Sequence, residues 1–162
     1  MYYNDKTTIF LDGKWVKAES ASTNLFSQTL HYGAGVFEGV RSYETEDGAM
    51  IFKAKEHFER LHYSAEKMHI NLAYSTEELI VLSYELLERN DLQNAYIRPL
   101  VYLGENMALQ PTNEVHVLLC AWSWDRYLGD KQLKLMTSSF ERPNPKSCFV
   151  EAKVTGHYTN SI

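Results

Sequence analysis

Apolar and polar residues alternate in short stretches near the start of the chain, which is the pattern of half-buried β-strands. Residues 8–11 and 14–17 flank an Asp-Gly pair, the sequence favoured in tight reversals, and are predicted to form a hairpin. Residues 36–44 and 49–53 predict two further strands joined by a polar turn. The first third of the chain is therefore expected to contribute to a sheet.

Two helices are expected next, over about residues 55–69 and 75–90, because apolar residues recur there every three or four positions. Ser75 and Glu78 form a capping-box pattern at the start of the second helix. Each stripe predicts a helix with one buried face. The stripes consist of Phe58, Leu61, Ala65 and Met68 in the first helix and Leu79, Leu82, Leu86 and Leu87 in the second.

Strand-like sequence returns after the helices. Residues 95–103 and 115–124 are apolar and rich in branched and aromatic side chains, and residues 132–137 alternate. Residues 142–146, with two prolines, predict a linker. The order of strands, helices and strands predicts an α+β fold with a mostly antiparallel sheet and two helices.

Composition narrows the classes of function. The net charge of the 162 residues is −5 with no basic block, which argues against nucleic-acid binding. Two cysteines make no disulfide framework and indicate a reducing, cytoplasmic location. No stretch approaches the roughly eighteen apolar residues of a membrane span, and no signal segment opens the chain, so neither membrane insertion nor secretion is expected. The six histidines lack the paired spacing of a metal site, and no phosphate-loop or dinucleotide motif occurs.

A lysine in a run of small residues is the first candidate for chemistry. Lys153 lies between Ala152 and Val154, close to Gly156, in a setting that would let a planar ring approach the backbone. A partly desolvated lysine loses its proton more readily and forms Schiff bases with aldehydes. Tyr158, five residues on, could bond a phenolate oxygen on such a ring. A solvated surface lysine is the simpler alternative.

Two arginines could bind anions. Arg60 lies outside the apolar stripe of the first helix, and spacing alone favours a surface pair with Glu56 over a phosphate anchor. Tyr96 and Arg98 are two residues apart in a strand, so their side chains share a face. An arginine inside an apolar strand needs an anion, so the pair is a candidate carboxylate site, with a structural ion pair as the alternative.

Phe37 and Gly39 also share a face of a predicted strand. A bulky ring followed by a bare backbone could form a wall and a clearance for a ligand. The alternative is a core phenylalanine beside a glycine that forms a bulge.

Several segments in order along the chain resemble the branched-chain amino acid aminotransferases, fold-type IV enzymes that use pyridoxal 5′-phosphate. The Phe-Glu-Gly-x-Arg and Tyr-Ile-Arg-Pro sequences favour this branch over the D-amino acid aminotransferases and the aminodeoxychorismate lyases. The matching segments are His31-Tyr32-Gly33, Phe37-Glu38-Gly39-Val40-Arg41, residues 56–61, residues 95–100, residues 124–129 and residues 152–158.

The resemblance implies three contacts to the cofactor. Lys153 would form the Schiff base with the cofactor and move the proton at the substrate α-carbon. Arg60 would hold the phosphate, against the interpretation from spacing. Tyr158 would bond the phenolate oxygen of the ring.

The resemblance also implies the substrate site for branched-chain amino acids, glutamate and 2-oxo acids. Tyr96 would orient the α-carboxylate, and Arg98 would recognise the side-chain carboxylate of glutamate. Residues implied to line the pocket are Phe37, Gly39, Trp124 and Tyr127. In the homodimer that the family forms, Tyr32 and Leu109 would reach into the neighbouring subunit's site.

The family carries a second, larger domain after the lysine, and this sets the expected organisation. We expect a small domain over residues 1–137, a linker over 138–147 and the truncated start of the cofactor domain over 148–162. The chain is then expected to be incomplete and inactive, to retain the cofactor poorly, and to have a tail that is displaced, disordered or held by another copy. The alternatives are a non-catalytic domain that binds a carboxylate or a protein, and a relative of the aminodeoxychorismate lyases.

Overall fold

A computed structural model describes residues 2–110, 112–124 and 132–162. Within these residues it has seven β-strands, three α-helices and two 3₁₀ segments, Ala18–Ser20 and Thr155–Ser161. The helices are α1 (Gln28–Tyr32), α2 (Ala54–Lys67) and α3 (Thr76–Arg89). The strands are β1 (Thr8–Leu11), β2 (Lys14–Lys17), β3 (Val36–Phe37), β4 (Val40–Thr45), β5 (Gly48–Ile51), β6 (Ala95–Leu103) and β7 (Val115–Ser123).

The strands form one sheet in the order β2-β1-β7-β6-β4-β5, with β3 also paired to β6. Every strand pairing in the described part of the chain is antiparallel, and the longest runs from the pair Ala95–Ser123 to the pair Leu103–Val115. The α+β prediction with a mostly antiparallel sheet is therefore confirmed.

Both long helices lie within a residue or two of their predicted bounds. Ser75 caps α3 by accepting a hydrogen bond from the Glu78 backbone, while the Glu78 carboxylate accepts one from the Ser75 backbone, which confirms the capping box. The apolar faces of α2 and α3 cover one side of the sheet. Buried core side chains include Phe58, Leu61, Leu79, Leu86, Ile97, Val101 and Leu119.

The predicted strand over residues 36–44 is broken, and Pro99 of β6 explains the break. Pro99 has no N–H to donate, so the pairing with β6 stops at Phe37 and resumes at Val40. Glu38 and Gly39 fall in the gap, where the Glu38 backbone N–H still donates to the Pro99 carbonyl at 2.9 Å. The Glu38 side chain in this gap reaches His57 and Arg60 on α2.

The predicted strand over residues 132–137 is wrong. These residues have no ladder partner among the described strands, and Leu133, Leu135 and Met136 are exposed. Alternating apolar and polar residues form a strand only where the apolar side chains have a partner surface to pack against.

The expectation of a displaced tail is also wrong. Val154 bridges to Val36, and Ala152 and Val154 are buried in the core. The Phe37 amide donates to the Lys153 carbonyl at 3.1 Å, so the lysine segment extends the sheet beside β3. The predicted division into small domain, linker and cofactor domain stays a prediction. None of the described helices is both long and apolar enough to cross a membrane.

Candidate active site

Lys153 points its amine into a small aromatic enclosure. The Nζ atom donates to the Tyr158 hydroxyl at 2.6 Å and lies 4.2 Å from the centre of the Phe37 ring. The Tyr158 ring is 4.7 Å from the same nitrogen, and the two rings meet edge to face at 5.1 Å. The side chain is half-buried, which excludes the fully solvated alternative. An amine partly removed from water beside a phenol is suited to Schiff-base chemistry.

The backbone of Lys153 is held from two sides. Its N–H donates to the Ser64 hydroxyl at 2.9 Å, and its carbonyl accepts from the Phe37 amide. Ser64 is buried in α2 and donates in turn to the Arg60 carbonyl at 2.8 Å. The lysine is thereby tied to the helix that carries the second predicted cofactor residue.

Two glycines allow this segment to approach the end of α1. Gly33 ends α1 with φ of +67°, a conformation that favours glycine. A Cβ at Gly33 would lie only 2.8 Å from the Cα of Gly156. The Gly156 amide donates to the Gly33 carbonyl at 3.1 Å, so the close contact is also a hydrogen bond.

Arg60 is clamped by Glu38, a residue that sequence reasoning did not single out. Its Nε and Nη2 donate to the two Glu38 carboxylate oxygens at 2.5 and 2.9 Å. The predicted pair with Glu56 is wrong, because that carboxylate is paired with Lys53 on the exposed side of α2. An acid between Phe37 and Gly39 in an otherwise apolar stretch was the available signal. The phosphate role of Arg60 stays a prediction.

Neighbouring charges and hydrogen bonds shift the pKa values of Tyr158 and Glu38 downward. Burial raises the pKa of Tyr158, but the hydrogen bond and charge of Lys153, helped by Arg142, outweigh it and lower that pKa from its usual range. Burial likewise opposes ionisation of Glu38, yet hydrogen bonds from His57 and Arg60 hold its pKa below the ordinary value. Both shifts favour the charged form of the group relative to the free side chain.

Arg98 and Tyr96 meet on one face of the sheet, and their role as a carboxylate site stays a prediction. Tyr96 and Arg98 share the sheet face opposite the helices, and the Arg98 Nη2 donates to the Tyr96 hydroxyl at 3.2 Å. The guanidinium lies over Phe37, 4.8 Å from the ring centre. Its buried Nε has no hydrogen-bond partner, and no salt bridge within the described residues reaches it. A buried cationic donor without an acceptor fits a carboxylate ligand.

The clearance predicted at Gly39 is occupied by a protein side chain. A Cβ on Gly39 would overlap the Tyr96 hydroxyl. The bare backbone therefore makes room for the phenol that faces Arg98. Gly39 shapes the candidate substrate site through Tyr96.

Aromatic side chains form the wall beside Tyr96. The Tyr96 ring lies 5.1 Å from Trp124 and 5.1 Å from Trp122. Trp122, which sequence reasoning missed, is the residue directly opposite Tyr96 in the β6–β7 ladder. Tyr127 lies outside the described residues.

Tyr32 and the loop that carries Leu109 meet at another corner. The Tyr32 hydroxyl donates to the Met107 carbonyl at 2.9 Å, and Leu109 on the same loop is 86% exposed. Gln28 joins α1 to this loop by donating to the Ala108 and Gln110 carbonyls. The roles of Tyr32 and Leu109 at a neighbouring subunit stay predictions.

The fold and the sequence place this chain among the class IV aminotransferases. The family model for class IV aminotransferases matches residues 35–162, and the chain belongs to this family. This confirms the resemblance, and the comparisons do not favour the non-catalytic alternative or the lyase alternative.

The relatives narrow the comparison to one branch of the family. A branched-chain-amino-acid aminotransferase from Pseudomonas aeruginosa is 41% identical over 95% of this chain and 52% of its own length. The crystal structure of the Escherichia coli branched-chain enzyme matches with a TM-score of 0.90, at 34% identity over 96% of this chain and 54% of that one.

A second similar structure carries a cofactor. The branched-chain enzyme of T.th. with pyridoxamine 5′-phosphate matches with a TM-score of 0.89, at 37% identity over 96% of this chain and 53% of that one. The same enzyme has structures with N-(5′-phosphopyridoxyl)-L-glutamate and with 4-methylvaleric acid. The chain spans about half the length of the curated relatives it matches.

Proposed function

We propose that this chain provides the aldehyde-binding lysine and the substrate face of a branched-chain amino acid aminotransferase. The reaction would transfer an amino group between branched-chain L-amino acids and 2-oxoglutarate with pyridoxal 5′-phosphate. The observation that carries the proposal is Lys153 in contact with both Tyr158 and Phe37. The names of the similar proteins support the same reaction.

The residues present fit pyridoxal 5′-phosphate by their chemistry. Lys153 offers an amine to the aldehyde, Tyr158 offers a hydroxyl to the ring oxygen, and Arg60 offers N–H groups to the phosphate. When bound, the cofactor supplies an electron sink for the bond cleaved at the substrate α-carbon.

The side chains of the chain itself would hold protons and orient the substrate. Tyr158 holds the Lys153 amine through its hydroxyl, which keeps the nitrogen directed between the two rings. Arg98 and Tyr96 would bind a carboxylate of the substrate, and Phe37 keeps water from one side of the amine. Lys153 would then carry the proton to and from the α-carbon.

Complete transamination is proposed for a protein that also carries residues equivalent to the rest of its relatives' length. In the 162 residues we expect aldehyde binding without efficient turnover, and weak retention of the cofactor. A homodimer with Tyr32 and Leu109 at the neighbouring site, and a cytoplasmic location, belong to the same proposal.

Trapping with borohydride tests the central residue. Pyridoxal phosphate incubated with the chain and reduced should label Lys153, as read by peptide mass spectrometry. Lys153→Arg should remove the label because guanidinium does not form Schiff bases under these conditions. Lys67→Arg is the matched control, since Lys67 also lies over a tyrosine ring, 5.1 Å from the centre of Tyr63.

Equal labelling of the wild type and the Lys153→Arg chain would contradict the proposal. Binding of glutamate or a branched-chain 2-oxo acid without any labelled lysine would support the non-catalytic alternative instead.

A further inference from the structure

Glu38 is a fully buried carboxylate that the proposed reaction does not use. Its side chain is 0% exposed, in the gap between β3 and β4. Three residues surround its two oxygens. The Arg60 Nε and Nη2 donate to it, His57 Nδ1 lies 2.9 Å from Oε2, and the Gly39 amide donates to Oε2 at 3.2 Å.

Burial of such a charge is costly even when donors surround it. Donors reduce the cost of taking a carboxylate out of water, but a hydrophobic side chain would fill the space at lower cost. The partner of Glu38 is not itself buried, because the Arg60 side chain is 50% exposed. The geometry is thus an internal acid holding one edge of a guanidinium whose other edge faces outward.

The clamp determines which donors Arg60 keeps for a ligand. A guanidinium has five N–H groups, and Glu38 engages one on Nε and one on Nη2. The two N–H groups on Nη1 remain for a ligand. Nη2 also has a longer contact, of 3.4 Å, to His57 Nδ1. A long side chain that is half in solvent otherwise samples many rotamers, and the clamp removes most of them. The remaining donors therefore keep one direction.

We propose that Glu38 is a positioning residue that fixes Arg60 for binding the phosphate of a pyridoxal 5′-phosphate class ligand. This assignment rests on the proposed function, and it adds Glu38 to the residues of that site. Glu38 itself touches no ligand. Through the Gly39 amide, the same carboxylate also fixes the backbone that faces Tyr96, so one acid braces both the phosphate side and the substrate side.

A positioning role for Glu38 and simple charge repulsion predict opposite effects on phosphate binding when the Glu38 charge is lost. A negative charge close to a phosphate repels it, so loss of that charge would tighten phosphate binding. If Glu38 acts by positioning, its loss frees Arg60 and weakens phosphate binding. A variant without the charge therefore separates the two roles.

The first measurement requires no cofactor. In the ¹⁵N-labelled chain, the Arg60 Nε–H resonance should exchange slowly with water because Glu38 accepts its proton. Glu38→Gln should speed the exchange, since an amide presents its own N–H to one arginine donor. Glu59→Gln is the matched control, because it removes an acid next to Arg60 on α2 that is paired with Lys55 at 3.7 Å. Fast exchange in the wild type would overturn the proposal.

The second measurement isolates the phosphate. Pyridoxal and pyridoxal 5′-phosphate both offer an aldehyde to Lys153, so a change between variants in the ratio Kd(pyridoxal)/Kd(pyridoxal 5′-phosphate) reports a change in phosphate binding. We expect Glu38→Gln to reduce this ratio about tenfold with little change for pyridoxal, as for loss of one charged hydrogen bond. Glu59→Gln should leave the ratio unchanged.

A variant that retains the charge separates the effect of position from the effect of charge. Glu38→Asp shortens the side chain by one methylene, so positioning predicts a reduced ratio even though the charge remains. Circular dichroism identifies a variant that fails to fold, and the other variant then decides. An unchanged or increased ratio in a folded variant, or an equal loss for both aldehydes, would overturn the proposal.

Failure of the proposed function gives a different result. If neither aldehyde bound the wild type through Lys153, the aminotransferase proposal would be wrong, and the phosphate role of Glu38 would be wrong with it. If both aldehydes bound but the ratio did not depend on Glu38, only the positioning role would be wrong.

Discussion

Single residues at this site act through the neighbour that each one touches. Tyr158 holds the amine of Lys153, and Gly39 matters because Tyr96 occupies the space that a side chain would fill. Arg98 has a buried donor without an acceptor in the described part of the chain. Substitutions of a residue and its neighbour should therefore be coupled.

Gly39→Ala tests this coupling. The new methyl would overlap the Tyr96 hydroxyl, so the free energy of unfolding should fall by about 2 kcal/mol, as for overpacking. Tyr96→Phe removes the overlapping oxygen, and the double variant should lose less than the sum of the two single variants. Chemical denaturation of all four chains measures this cycle. Additive losses would show that the alanine is accommodated elsewhere.

Among the elements, α2 connects the two ends of the candidate cofactor site. It carries Arg60 on one turn and Ser64 on the next, and Ser64 accepts from the Lys153 backbone. The 3₁₀ segment that carries Tyr158 follows directly after this contact. The same helix therefore carries the arginine and holds one side of the lysine backbone.

Ser64→Ala should lower stability and aldehyde affinity together. It removes the acceptor for the Lys153 amide, and we expect a loss of about 1–2 kcal/mol in unfolding free energy. Ser83→Ala in α3 is the matched control. Both serines are fully buried and donate to the carbonyl four residues before them, but it is Ser64 that accepts from the lysine segment.

Affinity for pyridoxal separates the two variants. Ser64→Ala should weaken the Lys153-dependent binding several-fold, whereas Ser83→Ala should only lower stability. Equal affinities would mean that Ser64 is a core residue without influence on the lysine.

Across the molecule as a whole, an exposed apolar corner lies beside the sheet. It is built from two segments that hydrogen-bond to each other, the Asn106 amide to the Phe26 carbonyl and the Tyr32 hydroxyl to the Met107 carbonyl. Large exposed apolar patches are typical of interaction sites. The corner consists of Leu25, Phe26, Leu30, Tyr32, Met107 and Leu109.

We expect the corner to mediate self-association. Sedimentation velocity at increasing concentration should show a dimer that Leu30→Glu weakens at least about tenfold, because a charge at a buried contact is costly. Val81→Glu on α3 is the control, since Val81 is also exposed but lies on a different element. A monomer at all concentrations, or equal weakening by both variants, would contradict this expectation.

Local sequence patterns are sufficient to specify most of the elements and their order. Helical spacing located α2 and α3, and a capping box marked the start of α3. Alternation of apolar and polar residues around an Asp-Gly turn located the first hairpin. These patterns are local, because the side chains that define them lie within a few residues of one another. The family resemblance pointed to Lys153 and Tyr158, and the structure brings these two side chains into contact.

The side chains that meet across the fold are known only once the chain is folded. Spacing favoured Glu56 as the partner of Arg60, yet the clamp comes from Glu38, 22 residues away along the chain. The strand around Glu38 breaks because Pro99, on a distant strand, lacks an N–H. Pairings of this kind depend on sheet register and helix packing, which no local pattern encodes. That is why Lys153 and Arg60 could be proposed from the sequence, while the carboxylate that pairs with Arg60 could not.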